Sequence, residues 1–355
     1  MAENAHDEAE RGGAPAATGL VVLASLVVIL AGIKAAEALI VPFLLAVFIS
    51  IIVSPVMLWL RRHGVGSAVA LVLMVAALVV VMLALTSLIG SAFERFRSDM
   101  PEYQRLLETK TEAVVEWLEA KGMEAPEQLL EEQINPQRVM RFAGNLMGGL
   151  SGALGNSFLI LLTVVFMLLE GSTFAAKLKA LPEGLREPMA QYREVIASIR
   201  RYMAIKTVIS LITGVLAAGL LMVLGIDYAV LWGLLAFVLN YIPNIGSIVA
   251  AVPPVLLALV LKGVWPAVWI GLGYFAINTL MGNLVEPRVM GRGVGLSPLV
   301  VFISLVFWGW LLGPVGMLLS VPLTMSVKIA LSAGESTRFI ALLLSPGAPE
   351  PSEAA

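Results

Sequence analysis

Tyr241-Ile242-Pro243-Asn244-Ile245-Gly246 and Leu311-Leu312-Gly313-Pro314-Val315-Gly316 are the stretches that decide the fold. Each interrupts a run that contains no Asp, Glu, Lys or Arg: 228–261, of 34 residues, and 293–327, of 35. One membrane crossing takes roughly 20 apolar residues. Each run is therefore too long for one crossing and short for two crossings and a turn. Proline removes a backbone donor and glycine loosens a helix. At membrane depth, backbone released in this way is tolerated only under protein or beside a watery cavity. Both runs read as broken or re-entrant helical hairpins.

Six further charge-free runs surround them: 12–33, 38–60, 64–93, 142–169, 207–226 and 263–285. The chain is 59% hydrophobic and 14% charged, against about 25% charge in soluble domains. A soluble helix must show one face to water, and these runs have no such face. The expected fold is all-α: a polytopic membrane helix bundle with two broken hairpins and a small external helical region. There is no cysteine, and the two histidines, His6 and His63, are far apart in sequence. No cofactor or metal is expected. Neither G-x-x-x-x-G-K-[ST], H-E-x-x-H nor G-x-S-x-G occurs, and nothing points to nucleic acid. The expected partners are the lipid bilayer and a small-molecule or ion substrate.

Charge sets the orientation, because cytoplasmic loops collect Lys and Arg. Arg61, Arg62 and His63 place the second loop inside, and with it the N-terminus, whose acidic tail does not resemble a cleaved leader. Region 94–141, with eleven acidic and seven basic residues, then falls outside. Region 172–206, with seven basic residues (Lys206 among them) and three acidic, falls inside. The resulting organisation is a cytoplasmic tail (1–17), three spans (18–93), the external region (94–141), a fourth span (142–171), a cytoplasmic amphipathic linker (172–206), a transport core (207–333) and a second cytoplasmic tail (334–355). In the external region, Tyr103, Leu106, Leu107, Val114, Val115 and Leu118 predict a helix that Gly122 and Pro126 end, and a second helix begins near Glu127. This hairpin reads as a packed loop as readily as it reads as either a lid or an oligomer contact. In the linker, the stripe from Leu185 to Met203, opposite Arg186, Arg193 and Arg200, suits a surface helix or a simple positive anchor. Gly144, Gly148 and Gly152 mark close helix packing.

The two long runs correspond at an offset of 70: Gly225 with Gly295, Leu235 with Leu305, Phe237 with Phe307 and Gly246 with Gly316. A span precedes each. If the first run enters and returns, Arg288, Arg292, Lys328 and Arg338 all fall inside, as the charge rule asks. The first hairpin then enters from outside and the second from inside. That is the inverted repeat of many secondary transporters, which place their site where the broken helices meet.

Polar groups inside a bilayer need a reason to be there. The candidates at the first break are Asn240, Tyr241, Pro243, Asn244, Gly246 and Ser247; at the second they are Gly313, Pro314 and Gly316. The polar side chains either bind solute or cap the broken helix ends. Glu286, with Asn283 and Arg288, reads either as an ion- or proton-coupling group or as an interfacial Glu–Arg pair; Asn278 lies close by. Asp227 reads as the N-cap of a helix starting at Tyr228. An intramembrane enzyme would need a buried base, and the sequence offers no buried His, Cys or Lys.

The stretch from Asp227-Tyr228-Ala229-Val230-Leu231-Trp232-Gly233 to Asn240-Tyr241-Ile242-Pro243-Asn244-Ile245-Gly246 resembles the autoinducer-2 exporter family of bacterial membrane proteins. Asn283-Leu284-Val285-Glu286-Pro287-Arg288, Gly295-Leu296-Ser297-Pro298, Phe307-Trp308-Gly309-Trp310, Gly313-Pro314-Val315-Gly316 and Val321-Pro322-Leu323-Thr324 resemble its second signature. The resemblance is specific over 227–328. It implies a secondary transporter of the bacterial inner membrane, assembled as a homo-oligomer. It further implies export of an autoinducer-2-like solute or sodium(lithium)/proton antiport. Asn244 stands where the family often has an aromatic residue, so the break is more polar here. A reading of another class is a non-transporting scaffold or receptor that works through region 94–141.

Overall fold

A computed structural model describes residues 20–120, 156–179, 186–243, 245–290, 295–332, 334 and 337–346. The second external helix near Glu127, Asn244 and the glycines at 144–152 lie outside them. Among the described residues the regular structure is helical, with no strand. The helices are α1 (Leu20–Ala35), α2 (Glu37–Arg62), α3 (Ser67–Ala120), α4 (Ser157–Lys179), α5 (Arg186–Val223), α6 (Ala229–Leu239) and α7 (Ile245–Lys262). There follow α8 (Val264–Asn278), a π-helix (Thr279–Val285), α9 (Glu286–Met290), α10 (Pro298–Leu318), α11 (Ser320–Ser332) and α12 (Arg338–Leu343).

Six of the helical segments are long and apolar enough to cross a membrane. Their outward faces carry large apolar side chains such as Leu39, Val72, Leu83, Val215 and Phe275. In water that surface would drive aggregation; against lipid chains it is the expected covering.

Two boundaries differ from those expected from charge. Helix α3 continues through residue 93 for 54 residues, about 80 Å at 1.5 Å per residue. The third span and the first external helix are one rod, and Pro101 lies inside it without ending it. Helix α5 likewise continues through residue 206, so the linker stripe and the following span share one axis. A change from polar to apolar surroundings alters which side chains suit a helix, not its backbone ladder. Asp227 is not the N-cap of α6. Tyr228 holds that position in the left-handed conformation (φ 60°), and no side-chain cap bond forms.

The centre of the bundle is α5. Helix α6 packs along it, α7 packs on α6 and α8, and α8, α9, α11 and α2 also touch α5. Close approach follows from small residues. A Cβ on Gly214 would stand 2.7 Å from the Gly233 carbonyl oxygen, and a Cβ on Gly233 would stand 2.6 Å from the Ala218 Cβ. The α5–α6 crossing therefore depends on hydrogen at both positions.

Candidate functional site

The first break forms where proline and the turn at 240–243 stop α6 after 11 residues. Helix α7 starts at Ile245 and folds back on α6. Gly246 makes the reversal possible: a Cβ there would lie 1.8 Å from the Leu239 carbonyl oxygen. In the second break Gly313 adopts φ 64°, ψ −154° inside α10, and α11 packs back on α10. Gly316 has the matching role, since a Cβ there would lie 2.0 Å from the Trp308 carbonyl oxygen. The backbone leaves the helix between Leu239 and Ile245 and again at Gly313.

The polar groups of the first break are held by α5. Asn240, 7% exposed, donates from Nδ2 to the Ser210 Oγ at 2.9 Å. Tyr241 donates from its hydroxyl to the Thr207 Oγ1 at 2.7 Å. Thr207 donates onward to the Met203 carbonyl oxygen at 2.7 Å. Each such bond contributes about 1 kcal/mol net, and leaving a buried partner unmade costs more. Asn240 does not cap α6 by its side chain. Pro243 and Ser247 are half-buried and Gly246 is buried.

One helical step before Thr207 stands a buried lysine. Lys206 is 4% exposed, and its Nζ lies 2.8 Å from both carboxylate oxygens of Glu286. This corrects three sequence expectations, the first being that the chain offers no buried Lys. Lys206 belongs to the core and not to a loop, and Glu286 pairs with Lys206, 80 residues away, instead of Arg288. Arg288 and Asn283 are exposed. The buried face of α5 runs Met203, Lys206, Ser210, Thr213, Ala217, Leu221. Tyr202, itself buried, lies within electrostatic reach of both Glu286 and Tyr241. Lys206, Thr207 and Ser210 thus place the partners of Glu286 and of the first break on neighbouring positions of α5. Their helical spacing was readable in the sequence, but Lys206 borders the charge-free run and was counted with the linker.

The π-helix Thr279–Val285 ends at Glu286. Such widened turns concentrate at functional sites, and here one sets the carboxylate toward α5. Tyr241, Val315 and Leu318 each pack against one buried cluster that includes Met203, Leu319 and Val321. At the second break Trp308 donates from Nε1 to the Thr324 Oγ1 at 2.9 Å, and Pro314 is exposed. Glu37, paired with Lys34 at 2.8 Å, faces Gly313: a Cβ there would stand 3.1 Å from the Glu37 Oε1. Among the described residues no three His, Cys, Asp or Glu side chains gather as a metal site.

Comparison with known proteins follows the same lines. A family model described as AI-2E family transporter matches residues 23–336. The chain is 44% identical over 326 residues to the "AI-2 transport protein TqsA" of Escherichia coli (strain K12), covering 92% of this chain and 95% of that protein. It is 40% identical over 332 residues to the "Putative transport protein YhhT" of the same strain, with 93% and 95% covered. A "Putative transport protein" of Haemophilus influenzae is 39% identical over 328 residues, with 91% and 94% covered.

Proposed function

Because the chain belongs to the AI-2E family of transporters, we propose that it is a secondary transporter that moves a small polar solute across the bacterial inner membrane. The observation that carries this reading is the polar group at the first break, Asn240 and Tyr241 on Ser210 and Thr207, on the same helix as Lys206 and its partner Glu286. Asn240, Tyr241, Pro243, Asn244, Gly246 and Ser247 form one side of the binding region, and Gly313, Pro314 and Gly316 the other. Asn and hydroxyl groups both donate and accept, which suits a polyhydroxylated solute. The relative TqsA is named for AI-2 transport, and that solute is the first to test.

The two broken hairpins form an inverted repeat in this reading, and three facts support it. The Leu224 carbonyl marks the open end of the first pair, and its tip bonds to Thr207. Thr207 precedes the end of α5 at Val223 by sixteen residues, about 24 Å of helix. The tip of the second pair, at Gly313, faces Glu37 at the start of α2, which the charge rule puts outside. Gly246 and Gly316 make equivalent backbone contacts 70 residues apart.

Glu286 is the coupling group in this account, with Lys206 as its internal counter-ion. Asn283 and Arg288, both exposed, complete the proposed coupling region. Sodium- or lithium-for-proton exchange is a second reading, favoured by the same pair, because a buried carboxylate and ammonium can exchange partners during a cycle. In this reading both termini lie in the cytoplasm and the protein works as a homo-oligomer. Proteoliposomes with an imposed pH gradient, tested with AI-2, sodium and lithium, decide between these readings. Flux of one of them under the gradient is expected; no gradient-driven flux of any from intact protein would overturn the proposal.

A further inference from the structure

We propose that Lys262 and Lys328 are equivalent clasp residues, each holding together the open end of one broken helical pair, on opposite faces of the membrane. The proposal rests on reading the pairs as opposed repeats. Lys262 ends α7, and its Nζ donates to the Leu224 carbonyl oxygen at 3.0 Å, in the turn that leads into α6. Lys328 lies in α11, and its Nζ donates to the Gly295 carbonyl oxygen at 2.6 Å, in the turn that leads into α10. Each lysine therefore ties the last helix of its pair to the turn before the first.

The two turns are built alike. Gly225 and Gly295 are both left-handed, with φ 64° and 67°. Each precedes a buried apolar residue, Ile226 at 4% exposure and Leu296 at 7%. The glycines and the apolar residues stand 70 apart, the offset that also relates Gly246 to Gly316, while the two lysines stand 66 apart, about one helical turn short of it. The outer turn explains why a cation belongs there. Gly225 donates to the Met222 carbonyl oxygen and Ile226 to that of Leu221, the backbone pattern that closes a helix on a left-handed residue. Helix C-terminal carbonyls carry partial negative charge and take cations well. The Leu224 carbonyl is the one that Lys262 caps. Gly225 is favoured by its positive φ, and a Cβ there would stand 2.7 Å from the Lys262 Nζ and displace the lysine tip.

The consequence is mechanical. Each pair is joined covalently at its break and by its clasp at the other end, so it moves as one unit and does not splay. Releasing one clasp opens one pair to water from one face and leaves the other pair closed. Lys262 and Lys328 are positioning residues in this scheme and do not touch solute.

The absence of cysteine from the sequence makes the test clean. Ile226→Cys and Leu296→Cys serve as single reporters, labelled by a membrane-impermeant thiol reagent on sealed vesicles of each orientation. Lys262→Met should raise the labelling rate of the first reporter about tenfold from the outer face and leave the second unchanged. Lys328→Met should do the converse from the inner face. Lys262→Arg and Lys328→Arg should keep both rates low. Equal rates in Lys and Met backgrounds would overturn the clasps. Clasp-dependent rises seen from a single face would retain the clasps and overturn the opposed arrangement. Hydrogen exchange needs no reporter: Lys262→Met should speed exchange at 224–229 alone and Lys328→Met at 295–300 alone. Unchanged exchange in both would equally overturn the proposal.

Discussion

Replacing Lys206 with Met removes the ammonium and keeps the length of the side chain. Glu286 then retains a carboxylate whose described partner, at 2.8 Å to both oxygens, is gone. Breaking a buried ion pair from one side costs about 3–5 kcal/mol, because the other charge stays desolvated. Here the Glu286 side chain keeps 18% exposure while Lys206 keeps 5%. Water reaching the carboxylate reduces the expected loss to about 2 kcal/mol. Glu286→Gln should cost about 3 kcal/mol, since it strands the more deeply buried partner. The double variant has neither charge, so its loss should fall short of the sum by about 2 kcal/mol. Unfolding by detergent titration measures stability, and initial flux in proteoliposomes measures transport. Both single variants and the double should lose at least tenfold in flux, because removing the charges restores the packing but not the coupling. Strictly additive stability losses, or wild-type flux in the double variant, would refute the assignment of this pair as a coupled unit at the centre of transport.

The remaining expectations concern the breaks and their supports. Gly246→Ala and Gly316→Ala each drive a Cβ into a carbonyl oxygen and should cost about 3 kcal/mol or prevent folding. Gly219→Ala, with nothing within 4 Å of its Cβ, should stabilise α5 by about 0.5–1 kcal/mol in the same unfolding assay. Asn240→Ala and Asn244→Ala should lower flux with normal expression; for Asn240 the lost Ser210 bond should cost about 1 kcal/mol. Tyr228→Phe removes the hydrogen bond to the Asp99 carboxylate and should destabilise by about 1–2 kcal/mol. In an Asp99→Ala background the same change should cost almost nothing.

The parts of this fold that the sequence announces are those where the chain departs from a helix. Pro243 with Gly246, and Gly313 with Gly316, are the wrong residues for uninterrupted spans, and both breaks fall there. Charge was a poorer guide to helix ends. Residues 93/94 and 206/207 mark changes of side-chain chemistry, and α3 and α5 run straight through them. Lys206 reads as a loop residue for the same reason, because a positive residue beside an apolar run is most simply an anchor. Its burial depends on Glu286, 80 residues away, brought over by a π-turn that no local pattern in Thr279–Val285 signals. Thr207 and Ser210 lay in plain view within an apolar run, but their partners at the first break are set by how α6 crosses α5. That crossing depends on Gly214 and Gly233, whose packing role appears only once both helices are placed.

The central claim is that the cluster at the first break is the place where solute binds. Its most direct measurement is initial flux of AI-2, in parallel with sodium and lithium, by wild type and Asn240→Ala in matched proteoliposomes under an imposed pH gradient. The account predicts gradient-driven flux in wild type and at least a tenfold loss in the variant, at equal protein incorporation. Equal flux in the two proteins would contradict it.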